Sequence, residues 1–407
     1  MESERNCGMK IVVLGGAGLT GQCAVRDLAE NRNVSEVVIA DIDSAKAKTL
    51  VDRVTTGNLS ATHIDLRNHE ATAKILKGAD VALNAATYYF NLDVMEAALM
   101  AKVHYVDHGG LSFLDPGGDY SKFRQLKLHD RFKEAGLTAI PCMGNCTGIS
   151  NVMARYIVDK LDSVETILVR DSWKDFTKGV PPFLVTWSIE TIMDEFLINP
   201  VIFEDGQRKE IQPLSRKDVV QFPEPVGTQE VYPTIHSEPT TFPVSFRHKG
   251  IKNCNWMEGG PGFSELKALA EAGFKSDDPV EVDGKKVSPR MFLRNLLASR
   301  KLLGFPEGVT VDDYETTRVQ AMGLRDGKRI THTVDWIGHS RKEWGASASE
   351  YLVGVPSSIT AQMLAQGRIE QKGVLLPEVC IDPKEFIAEL VKRPGIKIIE
   401  TIVADMN

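Results

Sequence analysis

Cysteine is scarce in this chain: six among 407 residues, at positions 7, 23, 142, 146, 254 and 380, with no C-x-x-C pair. Scattered thiols in a long chain argue against a disulfide framework and fit a reduced, cytoplasmic protein. Cys142 and Cys146 have C-x3-C spacing, but no second ligand pair completes a tetrahedral site and no H-E-x-x-H occurs, so no metal is expected. No apolar run reaches the roughly 18 residues of a membrane span, so no membrane association is expected. Met1 to Lys10 is polar and charged and lacks the apolar stretch of a signal peptide. Basic excess is missing too. Lys and Arg number 48 against 55 Asp and Glu, a net charge of −7, which argues against a nucleic-acid partner. Internal repeats and low-complexity segments are absent.

What is present is an ordinary globular mixture, 43% hydrophobic and 25% charged. At roughly 150 residues per domain the length fits two or three domains. Up to Cys142, short apolar runs alternate with segments of helical spacing. Strands are expected at Lys10–Leu14, Glu36–Ala40, Ala61–Ile64, Asp80–Asn84, His104–Asp107 and Thr138–Cys142. Helices are expected between them, among them Ser44–Val54 capped by Ser44, and Phe123–Ala135. This rhythm predicts an α/β fold: a Rossmann-type, doubly wound parallel sheet. After Gly148 the pattern changes to alternating strands, with a hairpin signal at Asp326-Gly327, and to long Pro-bearing loops, Glu238–Pro243 among them. The expected organisation is a tail at 1–8, a dinucleotide-binding domain at 9–148, a mixed α+β domain at 149–345 and a C-terminal segment at 346–407.

The first strand runs into Gly16-Ala17-Gly18-Leu19-Thr20-Gly21, a G-x-G-x-x-G that opens a helix. Gly16 is read as the tight turn, Gly18 as the point of backbone approach to a pyrophosphate, and Gly21 as the packing glycine. Leu19 and Thr20 complete the loop, and the helix N-terminus offers free N–H groups to phosphate. Asp41 ends the second strand, 20 residues after Gly21. An acid there accepts from ribose hydroxyls and repels a 2′-phosphate, so NAD is favoured over NADP. Asn84, Ala85 and Ala86 end the fourth strand, where ligands of open α/β sheets sit. Tyr88, Tyr89 and Asn91 follow on that edge, and Asp107 and His108 end the fifth strand. The alternative loop reading, G-x-x-G-x-x-G with a Tyr156-x-x-x-Lys160 pair, lacks its upstream serine: Met143 stands there.

Longer motifs carry a family resemblance: V-V-L-G-G-A-G-L-T-G at 12–21, N-A-A-T-Y-Y-F-N at 84–91, H-Y-V-D-H-G-G at 104–110, I-P-C-M-G-N-C-T-G-I-S-N at 140–151 and R-I-E-Q-K-G-V-L-L-P-E at 368–378. With them the chain resembles the saccharopine dehydrogenase-like family, nearest its lysine 6-dehydrogenase and saccharopine-reductase branches. H-S-E-P-T-T-F-P at 236–243 is similar to the H-x-E-P loop of the latter. The resemblance implies an NAD(P)-dependent enzyme acting on a C–N bond of an amino acid. It also implies a Rossmann domain with an inserted α+β catalytic and dimerisation domain, a C-terminal return to the first domain, and a homodimer. Around 142–147, Cys142, Asn145, Cys146 and Thr147 depart from the aspartate and small apolar residues of the lysine 6-dehydrogenases.

Such chemistry needs a neutral amine, a group that holds its proton and a cation for a substrate carboxylate. Tyr88, Asp107 and His108 are the catalytic candidates. Arg170, Arg247, His236 and Glu238 are the substrate-binding candidates. The expected partner is a small amino-acid or opine substrate. The rival readings are an opine or carboxynorspermidine-type imine reductase, and a non-catalytic dinucleotide-sensing protein.

Overall fold

The computed structural model describes residues 8–110, 123–306 and 308–404. The chain divides into two compact units. The first runs to Leu161 and takes up Ser349–Ile396. The second is Asp162–Ala348 joined by the residues from Lys397 onward.

The first unit is built on six parallel strands: β1 (Met9–Leu14), β2 (Val34–Asp41), β3 (Leu59–His63), β4 (Val81–Asn84), β5 (His104–Asp107) and β6 (Thr138–Ile140). Their order across the sheet is 3-2-1-4-5-6, and Gly373–Val374 pairs in parallel beyond β6. This is the doubly wound arrangement read from the sequence. Ile11 to Leu14 are fully buried, as a strand covered on both faces must be. β1 pairs with β2 on one side and β4 on the other, so the winding reverses beside it. Ligands of such sheets sit outside the strand ends at that reversal. The connecting helices are α1 (Leu19–Glu30), α2 (Ser44–Arg53), α3 (His69–Leu76), α4 (Asn91–Ala101) and α5 (His129–Glu134), and α6 (Ile149–Val158) follows β6.

Two local expectations are corrected. The cap of α2 is Asp43, whose carboxylate accepts from the N–H groups of Ala45 and Lys46; Ser44 is already helical. The continuous helix expected at 123–135 is a 3-10 turn at Arg124–Leu128 followed by the short α5.

The C-terminal helix Ala348–Ala365 carries Pro356 inside it and packs on α1. A Cβ on Gly354 would collide with the Thr20 carbonyl and lie 2.7 Å from the Cys23 Cβ, so only glycine allows this approach. Further along α1, Asp27 accepts from Arg393 at 3.0 and 3.2 Å and from Ser358 at 2.6 Å.

The second unit is a seven-stranded mixed sheet. Its strands are β7 (Ser163–Asp175), β8 (Val201–Glu204), β9 (Gln207–Glu210), β12 (Asn253–Glu258), β15 (Asp313–Arg325), β16 (Lys328–His339) and β18 (Lys397–Ala404), numbered with β10 (Asp218–Gln221), β11 (Thr228–Val231), β13 (Val280–Val282), β14 (Lys285–Val287) and β17 (Gly373–Val374). The order is 18-16-15-7-12-8-9, with β12 parallel to β7 and the other pairs antiparallel. The hairpin expected at Asp326-Gly327 joins β15 to β16, and Asp326 adopts φ 52 and Gly327 φ 72. A second core gathers Met193 and Phe196 of α7 (Ile189–Leu197), Phe263 and Leu266 of α9 (Phe263–Leu269), and Leu293 and Leu297 of α10 (Pro289–Ser299). The segment read as a Pro-bearing loop is a helix, α8 (Glu238–Ser245). Pro239 stands in its first turn, where no N–H is needed, and Pro243 lies inside it. Among the described residues no helix is long and apolar enough to cross a membrane.

Candidate active site

The loop after β1 is built by close backbone approach. Its left-handed residue is Gly15, at φ 72, one position before the expected Gly16. A Cβ on Gly15 would lie 2.7 and 2.8 Å from the backbone N and Cα of Ala86. The end of β4 is thereby pressed against the turn, which is what the small Ala85 and Ala86 permit. Gly16 is buried against Val13 and Ile39. A Cβ on Gly21 would collide with the Gly15 carbonyl, so Gly21 is where α1 packs on the loop. Gly18 caps α1 without a side-chain bond, and the first turn of α1 holds no acid. The N–H groups of that turn, at Leu19, Thr20 and Gly21, therefore face an incoming anion with no competing carboxylate. Leu19 is exposed beside them. These features fit a dinucleotide pyrophosphate.

Asp41 is held at the rim of this loop. Its Oδ2 accepts from Ala17 N–H at 3.0 Å and its Oδ1 from Asp43 N–H at 2.9 Å. The carboxylate is 8% exposed, fixed in place at the end of β2.

Asn84 is fully buried. It donates to Asn91 Oδ1 at 2.8 Å and accepts from Ala86 N–H at 3.2 Å, while Asn91 donates to the Gly109 carbonyl at 2.6 Å. Its amide shapes the strand end; Ala85 and Ala86 present the surface. Asp107 was expected to face the nicotinamide and does not. It is 1% exposed, and its oxygens accept from Tyr105 at 2.7 Å, Gln125 at 2.5 Å and Cys142 N–H at 2.8 Å. Burial pushes its pKa up to about 7 against those donors and the Gly109 N–H. Its carboxylate braces β5, the loop after β6 and the turn at Gln125.

His108 is bracketed by Thr20 Oγ1, 3.2 Å from Nδ1, and Ser357 Oγ, 2.8 Å from Nε2. Burial lowers its pKa to about 4, so the ring is neutral at pH 7. A residue titrating near neutrality was the ground for a catalytic role, and the structure removes that ground. Tyr88 stands half-buried in a 3-10 turn with its hydroxyl 3.1 Å from that of Tyr89.

The second unit gathers acids that the sequence pattern did not expose around two candidates that it did, His236 and Glu238. His236 Nδ1 lies 2.5 Å from Glu238 Oε2, and the ring stacks on Trp256 at 3.8 Å between centroids. Trp256 donates to Thr234 at 2.9 Å, and Thr234 donates to Glu258. Burial depresses the His236 pKa, but the charge of Glu238 and its hydrogen bond outweigh this, and the net shift is upward. Three further acids are raised, burial being the first cause in each. Asp171 is also held up by Glu315, Glu258 and Glu238; Glu195 by Glu258, Asp194 and Asp171; Glu258 by Glu238, with His236 and Thr234 opposing. Thr317 donates to Asp171. Asp171, Glu195, Glu238, Glu258 and Glu315 thus crowd carboxyl groups into low dielectric, where burial and mutual repulsion hold protons on Asp171, Glu195 and Glu258 that a cationic guest would replace.

His236 and Glu238 are brought together by the turn into α8. The two arginine candidates are not part of this group. Arg170 is 4% exposed, and its guanidinium is spent on the Val169 carbonyl at 2.8 Å, Asn255 at 2.7 Å and Asp218 at 3.3 Å. It is a structural brace, not a free carboxylate clamp. Arg247 is exposed in a 3-10 turn, and its guanidinium makes no hydrogen bond or ion pair to another described residue. Among the described residues no group of His, Cys, Asp and Glu is arranged to hold a metal.

Comparison with known proteins decides the family. Residues 11–140 match the saccharopine dehydrogenase NADP binding domain, and residues 144–396 match the saccharopine dehydrogenase C-terminal domain. The chain belongs to the saccharopine dehydrogenase family.

As a member of that family it is an NAD(P)-dependent oxidoreductase acting on a carbon–nitrogen bond. Carboxyaminopropylagmatine dehydrogenase of Synechocystis sp. is 26% identical over 397 residues, 94% of this chain and 95% of that one. Carboxynorspermidine synthase of Vibrio alginolyticus is 27% identical over 393 residues, 91% and 92% of the two chains. Among solved structures, saccharopine dehydrogenase (L-Glu forming) of Saccharomyces cerevisiae superposes with a TM-score of 0.76 at 20% identity, covering 98% of this chain and all of that one. The homospermidine synthase of Legionella pneumophila, solved with NAD, gives a TM-score of 0.64 at 13% identity, covering 97% and 92%. Both confirm the saccharopine dehydrogenase fold.

Proposed function

We propose that this saccharopine dehydrogenase-family protein is an NAD-linked reductase of the carboxynorspermidine type, joining a cationic diamine or guanidino-amine to a carbonyl-bearing amino acid. The observation that carries this reading is the buried acidic cluster of the second unit. Glu238 and Glu258 beside His236, with Asp171, Glu195 and Glu315 adjoining them, suit a substrate that carries more than one positive charge. The names of the two curated relatives support the same direction: disconnecting the secondary amine of a carboxynorspermidine leaves a diamine and an amino-acid aldehyde.

When bound, the dinucleotide would supply the hydride that the nitrogen-bearing carbon accepts, or take up the one that this carbon gives. The chain's residues do the rest. Loop N–H groups at Leu19, Thr20 and Gly21 hold phosphate, and Asp41 takes the ribose hydroxyls. Glu238 holds His236, and we assign His236 to keep or deliver the proton at the substrate nitrogen, because the amine must be neutral for hydride to leave its carbon. Asp171, Glu195 and Glu258 face the remaining ammonium or guanidinium.

The test is absorbance at the reduced-cofactor band. Oxidation of NADH with agmatine or a short diamine plus an amino-acid semialdehyde is the expected outcome. Reduction of NAD by lysine or saccharopine alone would favour the lysine-dehydrogenase branch, and cofactor binding with no turnover on any pair would favour a sensor. Asp41→Ala is expected to weaken NADH at least about tenfold relative to NADPH, the scale of one charged hydrogen bond lost. An unchanged ratio of the two dissociation constants would remove Asp41 from the ribose. A homodimer remains our expectation from the family resemblance, and light scattering of the purified protein tests it.

A further inference from the structure

The helix Ala348–Ala365 reaches the dinucleotide loop through one imidazole. His108 Nε2 lies 2.8 Å from Ser357 Oγ, and Nδ1 lies 3.2 Å from Thr20 Oγ1. Ser357 has a single hydroxyl hydrogen, and that hydrogen goes to the Gly354 carbonyl at 2.8 Å. Toward the ring the Ser357 oxygen can only accept, so the ring proton sits on Nε2. Nδ1 then carries a lone pair, and Thr20 must donate to it. The other neutral tautomer would set two lone pairs against each other at hydrogen-bonding distance. Burial keeps the ring neutral, so Nδ1 is left as the acceptor. From the same helix, Gly354 meets the Thr20 carbonyl directly. Both the main chain and the side chain of Thr20 are therefore held by one turn of a distant helix.

We propose that His108 is a positioning residue of the dinucleotide site: in its Nε2–H form it takes the Thr20 hydroxyl hydrogen, fixes the first turn of α1, and leaves phosphate to the backbone N–H groups alone. Thr20 sits where a phosphate-donating hydroxyl would be looked for, yet its hydrogen is already committed. Ser357 thereby becomes a remote part of the loop. The inference rests on the dinucleotide reading of that loop, and its test separates the two.

Two measurements on the full-length protein decide it. Long-range nitrogen–proton NMR with 15N-histidine labelling is expected to show His108 protonated at Nε2 and bare at Nδ1, and Ser357→Ala is expected to release a mixture of tautomers. NADH fluorescence titration is expected to give a dissociation constant raised about fivefold to tenfold in Thr20→Val, Ser357→Ala and His108→Ala, the scale of one hydrogen bond lost. Thr20→Val/His108→Ala should bind no more weakly than the worse single variant, because both break one chain. His108→Gln, whose amide offers an acceptor beside a donor, should recover affinity to within about twofold, whereas the apolar His108→Leu should not. An Nδ1–H tautomer, multiplicative losses in the double variant, or His108→Gln no better than His108→Leu would overturn the role. Unchanged affinity in all single variants would overturn it and leave the dinucleotide reading standing. A wild-type protein that binds neither NADH nor NADPH would overturn both.

Discussion

Asp107 illustrates how a polar residue at a strand end can belong to the scaffold. Tyr105, Gln125 and Cys142 N–H all donate to it. Asp107→Asn would turn one acceptor edge into a donor facing donors, at a cost of about 2–3 kcal/mol measurable as a lower urea midpoint. A variant of wild-type stability would refute the bracing role. His236 invites a different test. Glu238 is what lifts its pKa, so Glu238→Gln should move the His236-dependent limb of the kcat/KM profile toward lower pH. In amine oxidation the rising limb shifts; in imine reduction the falling limb shifts the same way. A limb that stays in place would take His236 out of the proton inventory. Glu238 apart, the acids of this cluster are not legible in the sequence. Asp171 and Glu258 end apolar strand runs and Glu195 lies in a helix, and single sequence positions of that kind read as solvated faces. His236 and Glu238 were legible because a proline-bounded H-x-E-P is unusual.

At the scale of elements, the parallel sheet was readable because its buried strands are short unbroken apolar runs between turn signals. Lys10–Leu14 and Asp80–Asn84 were placed within a residue of β1 and β4. The second unit resisted. α8 was hidden by two prolines, one of which sits where helices accept it. β18 has paired rather than alternating aliphatics, Ile398-Ile399 and Ile402-Val403, so neither period stands out. The fastening of the C-terminal helices to α1 was also invisible, since it joins residues more than 300 positions apart. It has a measurable strength. Arg393→Met would leave Asp27, 7% exposed, with only neutral donors, at a cost of about 3 kcal/mol. The expected outcome is a lower urea midpoint that Asp27→Asn in the same chain largely restores. An unaffected midpoint would show that the pair adds nothing to the hold on α1.

The whole molecule should respond to alkali through its crowded acids. Asp171, Glu195, Glu258 and His236 all hold protons more tightly when folded. Above neutrality the unfolded chain has already released those protons, so the folded state binds more of them and stability falls as pH rises. His104 and His108, lowered by burial, act in the opposite sense only on the acid side, as pH falls below the ordinary histidine range. The expected result is a denaturation midpoint that declines as pH rises on the alkaline side. Asp171→Asn/Glu195→Gln should flatten that decline, and an equally steep decline in the double variant would clear the cluster of responsibility.

The path of the chain between its two units has a consequence for biosynthesis. The polypeptide leaves the first unit after Leu161, comes back at Ser349, and departs again at Lys397 to lay β18 along β16. A ribosome must therefore carry synthesis far past Leu161 before either unit can close: one waits for the helix that carries Gly354 and Ser357, the other for a strand made later still. Until then β16 offers a bare edge to any neighbouring nascent chain. A nick ahead of residue 397 would cost the second unit its outer strand even though it falls outside that unit's main body.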